Sequence, residues 1–174
     1  MKVIERFRAR KRDMKTLSGV ISDSLERAQR AGDEYAGAHH LILTALEMED
    51  GSAARVFADV GASSESFRET VAAQERDALR SLGLPDGLAD SGALEAEPGT
   101  GRYGKADATY EQAIKNVHEI HNRGGVLRPL ISVYVLAGAA EVDRGVAARA
   151  LKAMNIDVDR LVDTALSSED NRSL

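Results

Sequence analysis

The sequence predicts an all-α protein, and three observations carry that expectation. Apolar residues recur at spacings of three and four along most of the chain, and glycine closes run after run. Aromatic residues make up 4% of the chain and tryptophan is absent, so the core has to be aliphatic and alanine-rich, which suits close-packed helices better than sheets. The pattern of breakers and apolar positions in the first half also returns in the second half.

The elements follow in order. Met14, Leu17, Ile21, Leu25 and Ala28 form one helical stripe over 14–31, stopped at Gly32. Residues 38–48 are apolar on most sides, which predicts a short central helix ended by Gly51. Ser52 is expected to cap a third helix that ends at Gly61, and Ser63 or Ser64 a fourth that turns Phe67, Val71 and Ala78 inward. Residues 83–106 hold six of the fifteen glycines and two of the three prolines and read as a linker or long surface loop. Thr109 with Gln112 suggests a capping box for a fifth helix carrying Ile114, Val117 and His121, closed at Gly124-Gly125. Pro129 opens a sixth, Gly145 separates it from a seventh, and Asp157 caps an eighth with Val158, Leu161, Val162 and Leu166 inward.

The halves align in detail. Gly51-Ser52-Ala53-Ala54-Arg55 matches Gly145-Val146-Ala147-Ala148-Arg149, and Phe57, Val60, Phe67 and Val71 then meet Leu151, Met154, Leu161 and Ala165 without a gap. Upstream, with a two-residue length difference, Leu41, Leu43 and Ala45 meet Val133, Val135 and Ala137. A glycine at the turn and paired alanines after it let consecutive helices approach closely. Two units this small are expected to share one core about a pseudo-two-fold axis, with 14–82 and 107–168 as the repeats, 83–106 between them, and 1–13 as a basic N-terminal segment.

Charge is uneven. Residues 1–15 hold seven Lys/Arg against Glu5 and Asp13, while the whole chain carries -5. A basic segment packed on an acidic body is the simplest reading; the acidic remainder would repel phosphates, which argues against a nucleic-acid partner. The absence of cysteine excludes disulfides, thiolate metal sites and cysteine nucleophiles. No apolar run reaches the ~18–20 residues of a membrane span. With no apolar stretch behind the charged N-terminus to form a secretory signal, the expected location is the cytoplasm.

Several motifs invite chemistry and lack its context. GTGRYGK at 99–105 has neither a preceding strand nor a Ser/Thr after the lysine. His118 and His121 stand three apart, where a zincin helix needs four. Asn155, Asp157 and Asp159 begin like a calcium loop without its glycine or its final glutamate. No serine sits in a GxSxG context. The reading is therefore of a protein that is not an enzyme and has no cofactor and no metal. Of the adjacent His39 and His40, one is expected in the core beside Leu43 and one exposed.

The string from Ala28 through the Gly37-Ala38-His39-His40 turn to the GxAAR helix and Phe67-Arg68-Glu69-Thr70-Val71 resembles the Clp repeat, the N-terminal domain of the ClpA/ClpC class of protein unfoldases. Ile4 to Phe7 is similar to that family's opening. The resemblance spans roughly 4–168, and the second repeat is more diverged. It implies an eight-helix bundle of two four-helix repeats that receives substrate polypeptides and adaptors of the Clp unfoldase–protease system, here as a free-standing domain without the AAA+ ATPase. The implied role is adaptor, competitor or decoy, with cyclic peptides that target Clp N-domains as further ligands. The alternative is a regulatory or assembly module that docks through its basic N-terminal segment. By position, the family's peptide surface falls on Tyr103, Lys105, Tyr110, Ile114 and Val117, with His39 as a further contact; the other reading places Tyr110 and Val117 in the core and leaves Tyr103 as linker. The family's turn reads Gly-Thr-Glu-His; here His39 replaces the glutamate and Ile131 occupies the second-repeat position, so the charge-paired grip on phosphorylated arginine is expected to be weak or lost.

Overall fold

The computed structural model describes residues 2–81, 83, 99–124 and 129–170. Eight helices occupy them: α1 (Lys2–Ala31), α2 (Ala38–Glu47), α3 (Ser52–Asp59), α4 (Ser64–Ser81), α5 (Ala108–Gly124), α6 (Ser132–Ala140), α7 (Gly145–Ala153) and α8 (Val158–Asp170). The fold is all-α, as the periodicity predicts.

Two helices make the centre. Every residue from Ala38 to Leu46 of α2 and from Ser132 to Ala140 of α6 is buried, and the two helices pack on each other. That accounts for their lack of a polar face: a helix surrounded by others has no side left for water. The remaining contacts obey an exchange of α1–α4 with α5–α8. α1 packs on α2 as α5 does on α6, α3 packs on α6 as α7 does on α2, and α4 packs on α7 as α8 approaches α3. Gly138 permits the closest of these approaches. A Cβ there would lie 2.6 Å from both the backbone nitrogen and Cγ2 of Val117.

The termini show which local rules decided. Gly32, at φ 85°, closes α1 with Asp33 N–H donating to the Ala28 carbonyl at 3.0 Å. Ser63 and Ser66 exchange side-chain-to-backbone bonds at the start of α4, and Asp157 accepts from Arg160 N–H at the start of α8. Two caps differ from expectation. Asp107, not Thr109, caps α5, accepting from Tyr110 N–H at 2.8 Å; the Thr109 hydroxyl is committed to Ala38 N–H at 3.1 Å in the other half, and Gln112 bonds Asn116 instead. The N-cap of α3 is Gly51, and the Ser52 hydroxyl turns inward.

α1 runs unbroken from Lys2 through the basic segment into the 14–31 stripe, because Lys, Arg and Ala are good helix formers and nothing interrupts them. The end of the 83–106 stretch is ordered against the fold. Ala36 N–H donates to the Lys105 carbonyl and Asp107 N–H to the Ala36 carbonyl, each at 2.9 Å, and Ala106 is buried. Residues 84–98 lie outside the described residues.

One carboxylate joins the halves. Asp50 Oδ1 accepts from Ser52 N–H at 2.9 Å and from the Ser52 and Ser132 hydroxyls, while Oδ2 accepts from Ser132 N–H at 3.0 Å. Ser132 Oγ in turn accepts from Ala53 N–H at 3.0 Å. The Asp50 side chain thus satisfies first-turn donors of both α3 and α6, where a negative charge is also favoured by the helix dipoles. These hydrogen bonds outweigh the opposing effect of burial and hold its carboxyl below the usual carboxylate value.

Candidate functional site

The expected peptide-contacting residues divide sharply by burial. Tyr110 (0% exposed), Ile114 and Val117 lie in the core, because α5 is pressed against α6 and α2 with α1 across its start. The Tyr110 hydroxyl meets Ser24 Oγ of α1 at 2.7 Å in a buried bond; burial, only partly offset by that bond, pushes its pKa up to about 12. In this conformation Tyr110 and Ile114 present no surface to a peptide. Tyr103 is half-buried with its ring 6.1 Å from that of Tyr110 and the Arg102 guanidinium over it, and Lys105 is exposed. The structure therefore brings Tyr103 and Tyr110 together, and leaves Tyr103 and Lys105 as the accessible members of the α5 set.

Accessible apolar surface lies beside them, on α1. Val3, Ile4, Phe7 and Met14 are 80, 60, 70 and 70% exposed. Positions 3, 7 and 14 share one helical face, and Arg6, Arg8, Arg10, Lys11 and Lys15 flank it. At Met14 the stripe enters a groove of about 350 Å³ between α1 and α5, lined by Leu17, Val117, His121 and Leu130 among others. Val117 thus touches the groove only through its edge. Asp13 fastens the groove. Its Oδ1 accepts from Leu130 N–H at 3.1 Å and pairs with Arg12, and its Oδ2 lies 3.7 Å from His121 Nε2. Sequence reasoning passed over Asp13 because it sits inside a basic run. The exposed α1 stripe was missed for a related reason, since dense positive charge hides a 3–7–14 apolar spacing.

A second, polar cleft of about 830 Å³ opens between α1, α2 and α4. Both histidines of the α2 start line it, and both are buried (His39 8%, His40 2% exposed), contrary to the expectation of one inside and one outside. A turn that follows α1 directly covers the first turn of α2, leaving neither ring free. His40 Nδ1 accepts from Gly37 N–H at 3.0 Å, so Nε2 carries the ring proton and donates to Asp33 Oδ2 at 2.8 Å. His39 stacks beside it, ring centres 3.8 Å apart, with Nε2 3.9 Å from the same Asp33 oxygen and no hydrogen-bond partner. A Cβ at residue 37 would lie 3.0 Å from His39 Nδ1 and from Asp107 Oδ2, so a side chain there would press on both.

Electrostatics follow the packing. Burial raises the Asp33 carboxyl, but the two neighbouring histidine rings, with the close His40 Nε2 contact, reverse this and hold it well below the carboxylate range. Burial, then His40, lowers His39. Burial raises Glu75, which lines the same cleft from α4. Asp33, His39 and His40 offer ligand atoms within 4.8 Å of one another. The sequence reading assigned no metal, because the pairing of Asp33 with a histidine pair six residues later depends on the α1–α2 turn.

The GTGRYGK stretch forms turns closed on their own neighbours: Gly99 N–H donates to the Ala106 carbonyl and Thr100 N–H to Glu111 Oε1 at 2.7 Å. No helix among the described residues is long and apolar enough to cross a membrane.

An all-helical bundle of paired four-helix units with an apolar groove and a polar cleft on its surface defines a helical interaction module. Residues 15–89 match the family model of the Clp repeat (R) N-terminal domain. Such domains are protein-interaction modules of the Clp system. The match starts beyond Ile4 to Phe7, so the likeness of that tetrapeptide to the family's opening lies outside it. No curated protein matches the chain significantly.

Proposed function

We propose that this protein is a non-catalytic module that binds polypeptide segments of the cytoplasmic Clp unfoldase–protease system, as adaptor, competitor or decoy, through the α1 stripe and the α1/α5 groove. One observation carries the reading: a run of large apolar side chains, 60–80% exposed and flanked on α1 by arginine and lysine, leads into an apolar groove that Arg10 lines. Contiguous exposed apolar surface of this kind marks interaction sites. The basic flank selects for partner segments that mix apolar and acidic residues. Tyr103 and Lys105, near the start of α5, and His39 in the polar cleft are secondary contacts in this proposal, as are cyclic peptides among its ligands. The same surface gives the N-terminal segment its part in docking.

The test is an affinity capture of Clp components from native lysate, identified by mass spectrometry. The wild-type chain is compared with Phe7→Asp/Met14→Asp. Both side chains are exposed, so helicity and Tm stay at wild-type values while capture of unfoldase or protease subunits falls at least tenfold. Capture that ignores the two substitutions, or that recovers no Clp component, overturns the reading.

A further inference from the structure

We propose that His39 and Asp33 form a binding site for a divalent transition-metal ion such as Zn2+, with His40 as the residue that orients Asp33 and Glu75 facing the site from α4. The proposal starts from an atom without a partner. His39 Nε2 is buried, lines the polar cleft and has no hydrogen bond, although buried polar atoms in folded proteins are nearly always paired. Its nearest charged neighbour, Asp33 Oδ2, lies 3.9 Å away. That separation is too long for a hydrogen bond and close to the roughly 3.4 Å that separates two ligand atoms on a tetrahedral zinc ion.

His40 behaves differently, and the hydrogen bonds say why. Its Nδ1 already accepts Gly37 N–H, so its Nε2 must keep the proton and donate it to Asp33. A ring held in this way does not coordinate through Nε2. It fixes the rotamer of the carboxylate that does, which is the outer-shell role that tunes metal sites. His39 Nε2, by contrast, is committed to no partner.

Glu75 lines the same cleft and is close enough to His39 and Asp33 for their charges to influence one another. A nitrogen ligand favours a first-row transition ion over Mg2+ or Ca2+, which take oxygen-only sets. Water from the open cleft supplies the remaining positions.

Equilibrium dialysis of the full chain with Zn2+ tests the site, alongside His39 15N NMR. One ion binds per chain, in the presence of excess Mg2+, and the His39 Nε2 resonance moves on titration. His39→Ala and Asp33→Asn each weaken binding at least about tenfold. Because His39 Nε2 makes no hydrogen bond, the alanine variant keeps its fold, checked by circular dichroism, and the resonance shift gives an answer that needs no variant. Absence of Zn2+ binding, a static His39 resonance, or wild-type affinity in His39→Ala overturns the proposal.

Discussion

Asp50 is the residue on which the joining of the two halves most depends, and Asp50→Ala measures that dependence. The carboxylate accepts from the backbone N–H groups of Ser52 and Ser132, at the first turns of α3 and α6, and from both hydroxyls. Losing a side-chain cap costs roughly 1 kcal/mol for each helix. The Ser132 hydroxyl, fully buried, loses a charged partner as well, which adds about 1 kcal/mol or more. The sum is about 3 kcal/mol, discounted from the charged-bond range because the carboxylate keeps some contact with water. In a chain of this length that lowers Tm by about 6–12 °C. With a urea m-value of about 2 kcal/mol per M, the midpoint falls by about 1.5 M. Chemical denaturation followed by circular dichroism reads both. A loss under about 1 kcal/mol at unchanged m would refute the claim that this carboxylate ties the helix starts together. Acid adds an independent check. The folded Asp50 value lies below the unfolded one, so its contribution is complete above the ordinary value of about 3.9 and is lost as pH falls through the folded value. The stability gap between wild type and Asp50→Asn therefore narrows below about pH 4; a gap that holds constant from neutral pH into acid refutes the assignment.

Three further outcomes follow from the packing. Tyr110→Phe removes the 2.7 Å bond to Ser24 and costs about 1 kcal/mol, while Tyr110→Ala empties a core site and costs about 3–5 kcal/mol; thermal denaturation separates them, and an alanine variant as stable as wild type would contradict the burial. Gly138→Ala drives a methyl to within 2.6 Å of the Val117 backbone and Cγ2, so it destabilises by about 2 kcal/mol or more despite alanine's better helix propensity, measured in urea. A phosphoarginine peptide binds weakly or not at all in calorimetry, since a buried His39 and Ile131 stand where a carboxylate pair would grip the guanidinium; low-micromolar affinity would refute this.

Much of the fold was readable because its determinants are local. Gly32, Gly51, Gly61 and Gly145 all take positive φ at helix ends, and the apolar character of residues 38–48 on most sides announced the central place of α2. The site was less readable because its determinants are not local. Tyr110 reads equally as a contact or a core residue until Ser24, 86 positions earlier, is placed against its hydroxyl. Thr109 reads as a cap until Ala38 claims its oxygen. Ala9 is the one buried residue among the clearly exposed early positions of α1, and a single alanine in a basic run cannot signal that the helix continues or that its far face is bare.

The two halves are alike in sequence pattern but depend on each other in chemistry. The start of α2 takes a hydroxyl from Thr109, in the second half, and the start of α6 takes a carboxylate from Asp50, in the first. Each central helix therefore has a first-turn donor that its own half leaves unpaired, and an unpaired buried N–H costs more than the bond contributes. That asymmetry of cost keeps the halves together beyond their shared apolar core. It also explains why equivalent positions could diverge. Ser132 serves the bridge to Asp50, while its counterpart His40 orients Asp33 beneath a cleft that the second half has no residues to copy, since Ile131 stands where His39 does.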